Sequence, residues 1–176
     1  MSSTVYASPL GELTLIGGDQ GVRELRFPGR GPLPGGHLHQ SECLTKAARQ
    51  LEAYFAGERR RFELPLDLAG TPFQQRVWAA LTRIPYGTTT TYGAIARELS
   101  AELPGHDAEP RAVGSAIART PVPIVVPCHR VVGADGSLTG YGGGLDRKRA
   151  LLDFEASGGD PSALRASWEQ RQLALL

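Results

Sequence analysis

The spacing of the apolar residues changes once along this chain, near residue 41, and this change constrains the fold more than any other feature. Before it, residues 5–7, 13–16 and 22–27 form short runs rich in strand-forming side chains, separated by turns that contain Gly and Pro. After it, apolar residues recur at the three- and four-residue spacing of helices. The sequence therefore predicts an α/β (α+β) chain with a small N-terminal β-sheet and a mostly helical C-terminal part.

The 176 residues offer room for one large domain or for two small domains that share a core. Residues 41–57 predict one long helix, which joins the small sheet in an N-terminal α/β domain over residues 1–70. The connector at residues 59–70 could hold a short strand, and we place the domain boundary there. A C-terminal domain over residues 71–160 and a tail at residues 161–176 complete the predicted organisation.

The C-terminal domain opens with a strong helix signal. Thr71 suits the N-cap and Pro72 the first position of a helix that runs to Ile84. Two further helices are predicted at residues 92–99 and 110–119, and the second of these has a face of small side chains. This succession favours a helix-turn-helix, although the turn is long for that motif. Paired helices also form ordinary cores, so the pattern alone leaves DNA binding open.

Charge and cysteine content restrict the partners and the compartment. Nineteen Lys and Arg residues oppose eighteen Asp and Glu residues, and the net charge of +1 argues against a partner held mainly by bulk positive charge, such as chromatin or an anionic membrane. A local patch could still read DNA. The chain has two cysteines, no signal-peptide pattern and no apolar stretch of the ~18–20 residues that span a bilayer. We therefore expect a cytoplasmic protein with reduced thiols and no membrane partner.

The segment of residues 120–130 concentrates the chemistry. Its three prolines fix the backbone, and residues 124–126 predict a short buried strand that places Cys128 at its end. A thiol on a rigid turn beside His129 is a credible nucleophile, because an imidazole favours the thiolate that attacks. Adjacent strand residues face opposite sides, so a water between thiol and imidazole is one way to connect them. A buried structural thiol and a satisfied core histidine are the alternative interpretations.

Several short motifs surround this segment. They are TPFQQRVW at 71–78, IPYG at 84–87, TYG at 91–93, RAVG at 111–114, PCHRV at 127–131, GYGGG at 140–144 and RKRALL at 147–152, which leads to Glu155. In this order they resemble the O6-alkylguanine-DNA alkyltransferases, also called methylated-DNA–protein-cysteine methyltransferases. The resemblance is strong over residues 71–155, whereas the N-terminal half matches only in its layout of strands and one long helix.

The resemblance implies a direct repair reaction. Cys128 takes the alkyl group from O6 of guanine in one irreversible step, which makes the protein a stoichiometric reagent. His129, oriented by Glu155, contacts the thiol through a water, in the logic of a hydrolase triad with a water inserted. Tyr92 joins the catalytic set because the matching tyrosine donates to the flipped base. Without the resemblance, a solvated position on a helix is the default interpretation of Glu155.

The resemblance also implies how DNA is held. Arg111 is the finger that fills the gap left by an extruded nucleotide, and the small residues after it allow close approach to the minor groove. The expected DNA-contacting residues are Tyr92, Arg111, Ala112, Gly114, Ser115 and Arg130. The expected base-contacting residues are Val131, Tyr141, Gly142 and Lys148, with the Gly142 N–H reaching O6. Arg111 and Lys148 are also compatible with ordinary surface charges.

The chain departs from the family pattern at two places. At the hinge, Thr120 stands where the family has Asn, whose amide ties the helix-turn-helix to the active-site segment and offers both a donor and an acceptor. The loop before the third helix is longer and carries Asp107 and Glu109, which we expect to cap that helix rather than to face phosphates. Family members with zinc use N-terminal Cys and His ligands. Because only Cys43, His37 and His39 are available, we expect no metal and no cofactor.

The function expected from the sequence is suicide repair of O6-alkylguanine, and of O4-alkylthymine, in double-stranded DNA by a monomer. The alternative is a non-catalytic alkyltransferase-like binder that flags alkylated guanine for another pathway; Cys128 argues against it and Thr120 keeps it open. A transcription regulator has little support, because no regulatory or dimerisation segment is evident. Residues 71–155 hold nine basic and eight acidic residues, so DNA affinity should rest on a few placed groups and depend moderately on salt.

Overall fold

A computed structural model describes residues 1–30, 41–102, 105 and 107–175. The first three strands, β1 (Ser2–Ser8), β2 (Gly11–Gly18) and β3 (Gly21–Arg26), form an antiparallel sheet in the order β1-β2-β3. All three predicted strands are confirmed, and the structure extends the first two. Gly21 has a φ of 142°, and a Cβ there would lie 2.5 Å from the Pro65 carbonyl oxygen, so this turn requires glycine.

Helix α1 (Glu42–Phe55) packs on this sheet and confirms the long helix predicted from residue 41. Its buried face repeats at helical spacing through Leu44, Ala47, Leu51 and Tyr54. The connector that follows lies against the sheet through a single bridge between Val22 and Leu66, which is all that forms of the predicted short strand.

The C-terminal part contains three helices that share a second core. They are α2 (Pro72–Thr82), α3 (Tyr92–Glu102) and α4 (Pro110–Ala118). Thr71 and Gln74 form a capping box at the start of α2, as the helix signal predicted. Glu109 occupies the N-cap of α4, where its charge suits the helix dipole, but its side chain makes no capping hydrogen bond within the described residues. The predicted cap is therefore electrostatic at most.

The proline-rich segment departs from its prediction. Residues 124–126 form a tight turn and not a strand: Ile124 has a φ of 73°, and the Val126 N–H donates to the Val122 carbonyl at 2.9 Å. The strand prediction was wrong because the flanking prolines cannot donate to a sheet ladder, so the apolar side chains are buried by a turn instead. A 3-10 turn (Cys128–Arg130) follows directly.

Two short strands connect this turn to the helix-turn-helix. Strand β5 (Val131–Val132) runs parallel to β4 (Thr90–Thr91), immediately before α3. The turn side chains are divided between the two cores, since Val122 packs with the N-terminal sheet and Val126 with helices α2–α4. The segment that carries Cys128 is thus clamped from both sides.

The chain ends in two antiparallel neighbours, α5 (Leu145–Ala156) and α6 (Pro161–Leu173). The C-terminal tail is therefore a helix. Its Leu164 is fully buried in the N-terminal core, and its Trp168 ring lies 5.0 Å from the Arg147 guanidinium. Within the described ranges, no helix combines the length and the apolar character that crossing a membrane requires.

Candidate active site

Cys128 lies at the floor of a cleft between the two cores. It begins the 3-10 turn and is only 3% exposed. The cleft is lined from the N-terminal side by strand β3 and from the other side by the end of α4, with Thr120 and Gly142 at its margins. A nucleophile placed in this way meets a substrate only if the reacting atom is brought down into the cleft.

His129 and Glu155 are in direct contact, as the sequence predicted. The His129 Nε2 lies 2.8 Å from Glu155 Oε1, and both side chains are buried. The Nδ1 atom of the same ring is buried and has no hydrogen-bond partner among the described residues. Because Glu155 accepts from Nε2–H, this geometry favours the tautomer in which Nδ1 carries a free lone pair.

Glu155 is the centre of a larger network than the sequence suggested. Its carboxylate accepts hydrogen bonds from three side chains and one backbone amide. These donors are Tyr54 Oη (2.8 Å), His129 Nε2 (2.8 Å), Arg130 Nε and Nη2 (2.8 Å each) and Gly87 N (3.2 Å). Burial of a carboxylate is costly unless its lone pairs are satisfied, and here they are.

The network fixes the protonation of its members. Burial alone would raise the pKa of Glu155, but the hydrogen bond from His129, together with the charge and hydrogen bonds of Arg130, holds it below its ordinary value. Burial lowers the pKa of His129 despite the attraction of Glu155. The pair is therefore a neutral imidazole held by a carboxylate at neutral pH.

The thiol itself is not pre-ionised. Burial raises the pKa of Cys128 to about 11, although the nearby Thr120 hydroxyl and the positive charge of Lys148 oppose that rise. Burial also lowers the pKa of Lys148 to about 8. A thiol with so high a pKa needs a nearby proton acceptor before it can attack, and the free Nδ1 of His129 is such an acceptor.

Arg130 corrects one prediction. It was grouped with the DNA-contacting residues, but it is 6% exposed, and its guanidinium binds Glu155 with two nitrogens and the Ile84 carbonyl with the third, at 2.7 Å. A buried guanidinium that is already bound to a carboxylate and a carbonyl is not presented to a phosphate at the surface. Arg130 belongs to the Glu155 network and not to the DNA-facing surface.

Tyr92 and Lys148 meet at one backbone atom. Tyr92 Oη and Lys148 Nζ both donate to the Thr139 carbonyl, at 3.0 and 2.9 Å, and the Thr139 hydroxyl returns a hydrogen bond to Tyr92 Oη at 3.1 Å. Lys148 is fully buried, which removes the surface-charge alternative. Sequence reasoning missed Thr139, because an exposed threonine in a loop gives no signal of its own.

The loop after Thr139 covers the cleft. Tyr141 packs edge-on against Phe27, with ring centroids 5.8 Å apart, and its hydroxyl is buried without a partner among the described residues. Gly142 is exposed, and its carbonyl accepts a hydrogen bond from Arg30. A Cβ on Gly143 would lie 2.6 Å from the Phe27 ring, so glycine is required there for the loop to reach the N-terminal domain.

The outer face of α4 is open to solvent. Arg111, Ala112 and Ser115 are exposed, and a Cβ on Gly114 would lie 3.6 Å from the Tyr92 ring. The predicted DNA-contacting residues on α4 therefore share one side of the molecule with Tyr92. Val131, by contrast, is fully buried, so it offers only its backbone to a ligand.

Thr120 lies between α4 and the active-site turn. Its hydroxyl donates to the Ile117 carbonyl at 2.7 Å, closing the last turn of α4, and its oxygen lies near the Cys128 sulfur. One hydroxyl hydrogen cannot serve both acceptors at once. In the resting thiol form, the Ile117 carbonyl takes it.

The structure tests the zinc question only in part. Within the described residues no group of three or more His, Cys, Asp and Glu side chains could hold a metal ion, and Cys43 lies half-buried on α1. His37 and His39 fall outside the described residues. The expectation of no metal therefore stays a prediction.

Comparison with known proteins agrees with this geometry. The family model of the 6-O-methylguanine DNA methyltransferase DNA-binding domain matches residues 72–157, and the model of the ribonuclease-like domain of 6-O-methylguanine DNA methyltransferase matches residues 1–68. A methylated-DNA–protein-cysteine methyltransferase of Methanosarcina acetivorans is 45% identical over 160 residues, which cover 89% of this chain and 99% of that protein. A Mycobacterium tuberculosis protein of the same name is 50% identical over 159 residues, covering 85% and 89%.

Solved structures show the same similarity. The crystal structure of Mycobacterium tuberculosis OGT in complex with DNA matches with a TM-score of 0.80 and 46% identity, covering 94% of this chain and 98% of that one. An O6-methylguanine DNA methyltransferase from Methanococcus jannaschii matches with a TM-score of 0.63 and 32% identity, covering 82% and 88%. The chain belongs to the O6-methylguanine DNA methyltransferase family, and the resemblance stated from its motifs is confirmed.

Proposed function

We propose that this protein repairs DNA by transferring the alkyl group from O6 of guanine, and from O4 of thymine, to the sulfur of Cys128. The observation that carries the proposal is the arrangement of a buried thiol beside a histidine whose Nε2 is held by Glu155 and whose Nδ1 is free to accept a proton. This is the nucleophile, base and orienting group that covalent transfer needs.

The proposed step balances in atoms and charge. The Cys128 proton passes through a water to His129 Nδ1, the thiolate attacks the alkyl carbon, a carbon–sulfur bond forms, and the bond from carbon to guanine O6 breaks. The electron pair stays on the guanine, which takes a proton from Tyr92, and the proton held by His129 then passes by way of solvent to the Tyr92 phenolate, so that both side chains end neutral. Hydrogen bonds to the developing anion, including one from the Gly142 N–H, lower the barrier as charge builds on the base.

DNA binding is proposed to use the exposed face of α4. Arg111 enters the duplex from the minor groove and occupies the space of the extruded nucleotide, while the small side chains beside it allow the backbone to approach. Tyr92 exchanges its hydrogen bond with Thr139 for one to the flipped base. The carbonyls of Cys128 and Val131 are the proposed acceptors for the exocyclic amine of guanine.

The reaction is proposed to be a single turnover by a monomer. A thioether on Cys128 has no good leaving group, and neither His129 nor Glu155 can displace it, so each molecule repairs one lesion. Because the substrate is DNA and the thiol must stay reduced, the proposed compartment is the cytoplasm.

Intact-protein mass spectrometry tests the proposal. After incubation with duplex DNA that contains O6-methylguanine, the protein should gain the mass of one methyl group, and Cys128→Ala should gain none. Tight binding of the lesion without any mass change would instead support the non-catalytic binder. That alternative is not favoured, because Cys128 and its complete network are in place.

A further inference from the structure

One contact in the Glu155 network comes from the N-terminal domain and not from the segment that carries Cys128. Tyr54 on α1 donates its hydroxyl hydrogen to Glu155 Oε1 at 2.8 Å, across 101 residues of sequence. Both side chains are buried, and the same oxygen accepts from His129 Nε2. Nothing in the sequence predicts this role, because Tyr54 falls on the apolar stripe of α1.

The Tyr54 ring has little freedom to move away from this contact. It lies edge-on to Phe154 and Tyr86, with ring centroids 5.5 and 6.2 Å apart. The rings of Phe55 and Phe62 pack against it as well, with centroid distances of 5.1 and 5.4 Å. Burial, followed by the charge of Glu155, raises the pKa of Tyr54 well above its ordinary value. The phenol therefore stays protonated and remains a fixed donor at every pH at which the protein works.

We propose that Tyr54 is a positioning residue for alkyl transfer: its hydroxyl shares the charge on Glu155 Oε1 and so sets the orientation and basicity of His129. The proposal rests on the function proposed above. Glu155 Oε1 also accepts from Arg130 Nη2, and each further strong donor on a carboxylate oxygen weakens its pull on the imidazole proton, so Tyr54 adds to the effect of Arg130. Through this contact the N-terminal domain tunes the thiol without touching the substrate.

Other charged and titratable groups around His129 set the background for this effect. Glu155 and Lys148 face it from α5, Arg130 and Cys128 from its own turn, and Tyr86 faces Glu155 from the loop after α2. Tyr141 faces Cys128 from the covering loop. None of these residues is itself replaced in Tyr54→Phe, so a change in the pH profile reports the lost hydroxyl and its effect through Glu155.

The first test is Tyr54→Phe, with single-turnover transfer rates measured from pH 5 to 9. Loss of the donor makes His129 more basic, so the acid limb of the rate profile should move to higher pH by about 0.5 unit or more. At pH values on the acid limb the transfer rate should fall by about threefold, because a shift of about 0.5 unit in the pKa of His129 lowers the fraction of neutral imidazole by that factor. The control is Tyr6→Phe, which removes another tyrosine hydroxyl from the N-terminal domain. The Tyr6 ring stacks on Phe55 and not on Glu155, so this variant should leave the pH profile unchanged.

A double-mutant cycle separates positioning from simple stabilisation. In a His129→Gln background, Tyr54→Phe should have no further effect on the rate, because the residue it acts through is gone. Equal losses with and without His129, or an unmoved acid limb, would overturn the proposal. Urea unfolding of each variant shows whether the compared proteins are folded.

A second replacement keeps the test decisive if Tyr54→Phe does not fold. Incorporating 3-fluorotyrosine at position 54 keeps the hydroxyl and makes it a stronger donor, so the acid limb should move the opposite way, to lower pH. No shift with the fluorinated residue would contradict the proposal. Failure of the wild-type protein to gain a methyl group would instead overturn the proposed function, so the two failures are distinguishable.

Discussion

Two regions of this molecule use an arginine in opposite ways: the buried network around Glu155 and the exposed face of α4. Around Glu155, Arg130 is buried and bound at three nitrogens, and its charge is neutralised by the Glu155 carboxylate inside the protein. On α4, Arg111 is exposed and faces solvent. Buried groups of the first kind fix geometry and stability, whereas exposed groups of the second kind act only when DNA arrives. A net charge near zero therefore says little about either region.

The largest expected effect comes from breaking the buried region. Glu155→Gln leaves Arg130 buried without its counter-charge, which should cost about 3–5 kcal/mol in the free energy of unfolding. His129 also loses its charged acceptor, because an amide oxygen takes the place of the carboxylate, so the transfer rate should fall on the order of a hundredfold or more. Urea denaturation and single-turnover kinetics measure the two losses.

Asp153→Asn on the same helix is the matched control. Asp153 lies 4.0 Å from Arg149 in a half-exposed ion pair, so its replacement should change stability by less than about 1 kcal/mol. Similar losses for the two variants would show that the Glu155 network is no more important than a surface pair.

Breaking the exposed region should leave the fold intact. Arg111→Ala should lower the repair rate in duplex DNA by about tenfold or more, because no side chain then fills the gap and offsets the free-energy cost of unstacking the nucleotide. Reaction with the free base O6-benzylguanine, which needs no flipping, should be unchanged, and so should the unfolding midpoint. Arg165→Ala, an exposed position on α6, serves as the charge-matched control. Equal losses with duplex and free base would refute the finger role.

The pH dependence of stability should sharpen the comparison, because the buried region holds two groups whose pKa is lowered, His129 and Glu155. The folded pKa of His129 is lowered, so the unfolded chain binds its proton first, and stability should begin to fall below about pH 6.5. The pKa of Glu155 is also lowered, so its contribution is present above about pH 4.3 and is lost as the pH falls further. Urea midpoints between pH 3 and 8 should show both stages, and Glu155→Gln should lack the second.

The smallest expected effect is at the hinge between the regions. Thr120→Val removes the hydroxyl that closes α4 and faces the Cys128 sulfur, so transfer should slow by about threefold, within the range of one neutral hydrogen bond. Thr120→Asn supplies a donor and an acceptor and should preserve or raise the rate. A clear fall with Asn would mean that the local packing has adapted to threonine.

The sequence predicted these two regions unequally. The sheet and the helices follow from periodicity and capping signals, which are local, whereas the contact between His129 and Glu155 was implied only by the resemblance of the motifs to the family. The turn at Ile124 does not follow, because a short apolar run looks the same whether a strand or a turn buries it. Arg130 was misassigned for a related reason: nothing in a sequence shows which way an arginine next to a buried histidine points.

Contacts between distant segments were the least predictable. Tyr54 reaches Glu155 across both domains, and Lys148 reaches the Thr139 carbonyl only because α5 and the covering loop meet. Such pairs depend on the packing of whole elements, and the residue types alone fit core or surface positions equally well. On α4 the sequence predicts a face of small side chains, and the structure leaves Ala112 and Ser115 exposed beside Arg111. Their contact with DNA stays a prediction.

We expect Cys128 to accept one alkyl group per protein molecule, and a titration measures this stoichiometry most directly. Increasing amounts of duplex DNA with a single O6-methylguanine are added to the protein, and the restored guanine is counted against the methylated peptide that contains Cys128. We expect both to rise together and stop at one equivalent, with no turnover at longer times. Restored guanine beyond one equivalent, or a methyl group on any residue other than Cys128, would contradict this account.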